Sequence, residues 1–220
     1  MNQKTKIAKN LILAAIATLG LSASAFAQDP MKAPPNPAAP TASGLLGSTY
    51  AGVAWNSYRL NDGPPSAGHG ATAYFNQSLA DDLDFSVSYD WMRAHSAVLS
   101  TTEQKLDWSV TGYTKQDWGK PFVTVGIAHA WRNGDVTGRH GSWGFGADMG
   151  IEFQAAPALA ITPFVGWDRE TSFSRNATRY GLRTTYRVSR EWSVTATAQY
   201  LEVKRMANRA EYSLGLNYHF

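Results

Sequence analysis

The residues able to titrate, attack or coordinate are few. The chain holds 17 Asp and Glu, 5 His and no Cys. Without Cys there is no thiol nucleophile, no thiolate zinc site, no disulfide scaffold and no lipid-modified amino-terminal cysteine. One Asp-x-Asp occurs, Asp82 and Asp84, and paired carboxylates of this kind serve as general acids and bases. No Asp-x-His accompanies it. His69, His95 and His140 stand in separate loop segments, so a metal site would need three loops to converge. His129 has Trp131, not Ser, two residues on. No nucleophile, base and orienting group can be assembled from these positions.

The elements that carry these residues have period two. Leu83, Phe85, Val87, Tyr89 and Trp91 alternate with Asp84, Ser86, Ser88 and Asp90. A helix would scatter the two types around its circumference, whereas a strand puts one on each face. The pattern recurs in Leu106–Thr111, Val123–Ala128, Trp143–Gln154, Tyr180–Val188 and Glu211–Phe220. It predicts ten strands, near 49–60, 69–79, 83–94, 103–114, 121–132, 142–155, 159–170, 178–188, 192–203 and 209–220. The first two alternate less strictly, which leaves eight strands as the alternative. Lengths of about ten to twelve suit a tilted bilayer crossing.

Two segments precede the strands. Lys4, Lys6 and Lys9, the apolar run from Leu11 to Ala23 and the small-x-small Ala25-Phe26-Ala27 predict a cleaved export signal over residues 1–27. Residues 28–48 hold half of the ten prolines and read as an extended linker. Beyond the signal the chain carries 17 basic and 17 acidic residues, so no basic face remains to hold nucleic acid.

The carboxyl terminus resembles a known family. Ser213, Gly215, Tyr218 and Phe220 match the terminal assembly signal of the small bacterial outer-membrane β-barrels, the opacity-type and porin-like proteins. Pro121-Phe122-Val123 and Pro163-Phe164-Val165 are similar to strand starts frequent in that family. The resemblance covers 49–220. It implies an all-β, transmembrane, antiparallel up-and-down barrel in the outer membrane, with lipid and lipopolysaccharide around it, inserted by the barrel assembly machinery. The proline-rich segment would then be periplasmic. Short turns near 80–82, 115–120, 156–158 and 189–191 would face the periplasm, and the remaining connections the exterior. Trp91, Trp131, Trp143 and Trp167 would form an interfacial girdle. Arg132, Arg139, Arg175, Lys204, Arg205 and Arg209 would lie at the outer rim, within reach of lipopolysaccharide phosphates.

Turn centres near 157 and 174 then set the inward charges in rows. Asp148 falls beside Gly166 and Gly166 beside Arg183. Glu152 falls beside Thr162 and Thr162 beside Arg187, while Glu170 meets Arg179. Asp90 and Asp107 form an acidic pair on the opposite wall without a basic partner. The expected function is a non-enzymatic envelope barrel, structural or passing ions and small solutes by a narrow path, with no cofactor. Surface adhesion or lipopolysaccharide binding is one alternative. The other is an omptin-like hydrolase, whose acidic pairs and Asp-x-His belong at the outer rim, whereas Asp82 and Asp84 fall at a periplasmic turn.

Overall fold

The computed structural model describes residues 44–60, 67–95, 100–134, 138–171, 175–204 and 207–220. The expected export signal and the linker up to residue 43 lie outside the described residues. The described residues form ten strands: β1 (Tyr50–Leu60), β2 (Ala67–Ala80), β3 (Leu83–His95), β4 (Ser100–Tyr113), β5 (Lys120–Gly134), β6 (Gly138–Ala156), β7 (Leu159–Glu170), β8 (Arg175–Arg187), β9 (Trp192–Val203) and β10 (Arg209–His219). Each pairs antiparallel with its sequence neighbours, and β1 closes on β10 from Tyr50↔His219 to Leu60↔Arg209. All ten strands expected from alternation are present, including the two weaker ones.

The faces are inverted relative to a water-soluble protein. Val53, Val125, Met149 and Leu214 are more than half exposed on the outer wall, while Ser193 and Asn217 on the inner wall have no exposure. Hydrocarbon offers no hydrogen bonds, so a spanning sheet must close on itself and turn its apolar side outward. Trp143 and Trp167 are exposed on this outer surface, and Trp91 and Trp131 are partly so. The register Trp55↔Ala71↔Trp91↔Gln104↔Trp131 adds Trp55 to their row. Trp55 is 57% exposed and stacks on His69.

Pro163 lacks an N–H, and the β6–β7 pairing is interrupted opposite Thr162 and Pro163. The β7–β8 ladder continues to Glu170↔Arg175. Its connection is therefore centred earlier than expected, and each β8 residue meets a β7 partner four positions from the expected one. The displacement is even, so every side chain keeps its face while its partner changes.

Near the termini the inner wall is tied by a side-chain network. Asn217 donates through Nδ2 to Ser193 Oγ (3.0 Å) and Thr195 Oγ1 (2.9 Å), and its Oδ1 accepts from the Tyr74 hydroxyl. The Ser193 hydroxyl also lies 2.8 Å from His219 Nε2. Replacing Asn217 by Leu leaves the Tyr74 and Ser193 hydroxyls without these partners. We expect a loss of about 2–4 kcal/mol of unfolding free energy, read by urea titration in lipid vesicles. An unchanged midpoint would show that this network is dispensable.

Candidate functional site

Among the cavities lined by the described inward residues, two adjoin in series along the barrel. The one nearer the longer connections has a volume of about 230 Å³. Asp90, Glu103, Asp168, Glu170 and Glu211 line it, against Lys105, Arg179 and Arg209. The one nearer the chain termini measures about 320 Å³, with Tyr50, Tyr74, Phe122, Phe164 and Arg183 among its walls. Asn56, Thr72, Thr197 and Ser213 belong to both, so the cavities adjoin.

Charged side chains bridge strands of the inner wall where the cavities meet. Arg179 on β8 grips Asp148 on β6 with two bonds, Nε to Oδ1 at 2.7 Å and Nη2 to Oδ2 at 2.9 Å. Its Nη1 reaches Asp168 at 3.3 Å. The bridge spans β7 at Gly166, which pairs with both Asp148 and Arg179. A Cβ on Gly166 would lie 1.8 Å from Asp148 Oδ1 and 2.6 Å from Arg179 Nε, so only glycine leaves this path open. A bidentate guanidinium–carboxylate pair is among the stronger polar contacts available, because charge and geometry agree.

The partners differ from those expected. Asp148 meets Arg179 in place of Arg183, because the β7–β8 ladder extends to a shorter connection. Arg183 lies beside Thr162 instead, with its guanidinium 5.8 Å from the Phe164 ring centroid, in the wall of the larger cavity. Glu170 bonds Arg132 (2.8 Å), not Arg179, and Arg132 also bonds Glu103 (3.1 Å). Glu152 meets Lys120 (3.3 Å), not Arg187. Arg187 is buried near the termini and donates to the Arg190 carbonyl at 3.4 Å. Asp90 and Asp107 do have a basic neighbour. Lys105 stands opposite Asp90 and 3.3 Å from Asp107, and Asp90 also accepts from the Thr72 hydroxyl. Lys105 shares the parity of Asp107, Ser109 and Thr111, and that signal identifies it as inward-facing.

Two of the expected rim cations point inward. Arg132 has the parity of Thr124 and Ala128, and its partners are the lumen carboxylates named above. Arg209 lines the smaller cavity, 2.5 Å from Glu211 and 5.3 Å from the Tyr58 ring. Both therefore belong to the lumen face, since even and odd positions of one strand cannot share a face. Lys204 is exposed beside the end of β9. Arg205 and the side chains of Arg139 and Arg175 lie outside the described residues. At the other end Ser213 and Gly215 sit on the inner wall. Tyr218 and Phe220 sit on the outer face, where Tyr218 packs on Trp192 (5.1 Å) and Phe220 approaches Phe75 (6.4 Å).

The larger cavity ends on residues 44–48, whose sequence reads as the end of the linker. Leu45 and Leu46 form its floor. Leu45 is buried, and its N–H donates to Glu152 Oε2 at 2.8 Å. The Asp-x-Asp segment lies at this same end, and Asp84 accepts from the Gly47 N–H at 2.9 Å.

No family model matches the sequence, and no curated protein sequence matches it. Solved structures share its architecture. An outer-membrane channel from Pseudomonas putida F1 aligns at TM-score 0.54 and 9% identity, covering 88% of this chain and 100% of that one. The β domain of the Bordetella autotransporter BrkA aligns at TM-score 0.50 and 10% identity, covering 79% and 100%. The protein has the fold of the small outer-membrane β-barrels. Its closed ten-stranded wall and apolar exterior are those of a membrane-spanning β-barrel.

The bridge across Gly166 can be measured. In a double-mutant cycle of Arg179→Ala and Asp148→Ala, we expect a coupling of about 1–3 kcal/mol in unfolding free energy. Strict additivity would mean that the two groups do not stabilise one another.

Proposed function

We propose that this barrel is non-enzymatic and provides a narrow passage for ions or small solutes, with a preference for cations. The observation that carries the reading is the pair of adjoining polar cavities aligned in one lumen. Their walls are acidic on balance: the smaller cavity has five carboxylates against three cations. In a confined space with low-dielectric walls, such an imbalance raises the local concentration of counter-ions. The larger cavity is floored by a turn rather than by the wall, and it shares four lining residues with the smaller one. Ten strands also fall between the eight that side chains can fill and the sixteen that leave an open channel. Asp82 and Asp84 stand at the turn end, away from the longer connections, which supports a role other than omptin-like hydrolysis.

Two further proposals concern delivery. The chain is exported with cleavage near Ala27, and Phe220 is read by the barrel assembly machinery. Phe220 is 77% exposed at the end of β10, available to a partner before lipid covers it.

Planar-bilayer recording of the refolded protein tests the passage. The expected result is a small conductance whose reversal potential in a salt gradient is displaced toward that of the cation. A silent bilayer would sink the passage reading and leave a structural envelope role. Selectivity for anions would refute the charge argument. Deleting Phe220 should reduce the heat-modifiable, folded barrel in the outer membrane while export continues. Undiminished folded barrel would reject the terminal signal.

A further inference from the structure

Residues 44–48 form a built object within the barrel mouth. Leu45 and Ser48 close a turn, with the Ser48 N–H donating to the Leu45 carbonyl at 3.3 Å. Gly47 stands at its third position with φ +81°, the left-handed conformation that a type II turn requires there. The Ser48 hydroxyl donates to the same Leu45 carbonyl at 2.7 Å.

The outward-turned groups of this turn are matched by opposite walls of the lumen. On β6, Glu152 Oε2 accepts from the N–H groups of Leu45 (2.8 Å) and Leu46 (3.4 Å). On β3, Asp84 Oδ2 accepts from the Gly47 N–H. On β5, Lys120 Nζ donates to the Leu46 carbonyl at 2.7 Å while holding Glu152. On β2, Asn76 Nδ2 donates to the Ser48 carbonyl at 2.7 Å. Four strands thus hold one turn across the mouth, and Leu45 is 6% exposed among them.

We propose that the Gly44–Ser48 turn is a removable plug that keeps the lumen shut on the side of the chain termini. This rests on the passage reading above and specifies its regulation. The attachment is of a releasable kind. Its hydrogen bonds run from main-chain groups to side chains, and water can replace each of them once the turn withdraws. The β-ladders of the barrel take no part in it, so the wall stays intact with the plug out. Withdrawal would also uncover Glu152, Asp84 and Lys120, two carboxylates against one ammonium, so the path at this end becomes more acidic by one net charge. The closed state is the low-conductance state, and the open state is both wider and more cation-selective.

The test compares three refolded proteins in planar bilayers with potassium chloride: the full chain after the export signal, a form lacking residues 28–47, and the full-length double variant Asp84→Asn with Glu152→Gln. Heat-modifiability on gels reports folding of each. Removal of the turn should raise the single-channel conductance severalfold and increase the preference for potassium. The double variant should open more often than the parent, because the two acceptors of the turn are weakened while the chain remains. If the shortened barrel does not fold, the double variant decides alone, and an open probability equal to the parent's overturns the plug. Equal conductance of parent and shortened form also overturns it, while leaving the passage itself standing. Silence of all three overturns both.

Discussion

Every backbone N–H and C=O that crosses hydrocarbon must find its partner within the protein, and this requirement governs everything else here. A sheet meets it only by closing, and β10 returns to β1 over eleven paired residues to do so. Closure then divides each strand into a lipid side and an enclosed side. Side chains such as Val53 and Leu214 are exposed because their solvent is the acyl chain. Asn217 and Ser193 are buried because the space behind them is a lumen with its own polar chemistry.

Enclosure raises the stakes for charge. A carboxylate on an inner wall is cut off from most of the water that would hydrate it, and an acceptable structure must supply cations at short range. The barrel does this with pairs between adjacent strands and with rungs that skip a strand. Arg179 reaches Asp148 over Gly166, and Arg132 holds Glu103 and Glu170 from two neighbouring directions. Such rungs stiffen the wall and narrow the bore together, so the same groups that stabilise the barrel also limit what can pass. The acidic surplus that remains is the property most relevant to a permeating ion.

The floor joins these two themes. Glu152 and Asp84 sit near the end of the barrel, and one oxygen of each accepts from main-chain donors of residues 45–47. A short turn of small and apolar residues thus supplies donors to two inner-wall carboxylates while blocking the mouth. Stability of the closed state and accessibility of the lumen are therefore linked through the same few hydrogen bonds.

Much of this was legible in the sequence alone. Strict alternation from Leu83 to Trp91 and from Tyr212 to Phe220 determined the strands, their number and the face of each side chain, because a period of two is a local property of extended backbone. Parity also held the inward direction of Lys105, and of Arg132 and Arg209 although the place of these two near strand ends invites a rim reading. Only the tertiary structure decided which charge meets which. Partner identity depends on where a connection turns, and extension of β8 to Arg175 moved every β7–β8 rung by four residues without changing a single face. The sequence was equally silent on the floor. Gly44–Ser48 follows a proline-rich stretch and has no periodicity, and its conformation is defined by Glu152, Asp84, Lys120 and Asn76. Those four residues lie on four different strands, and no local pattern announces that closing the barrel brings them to one mouth.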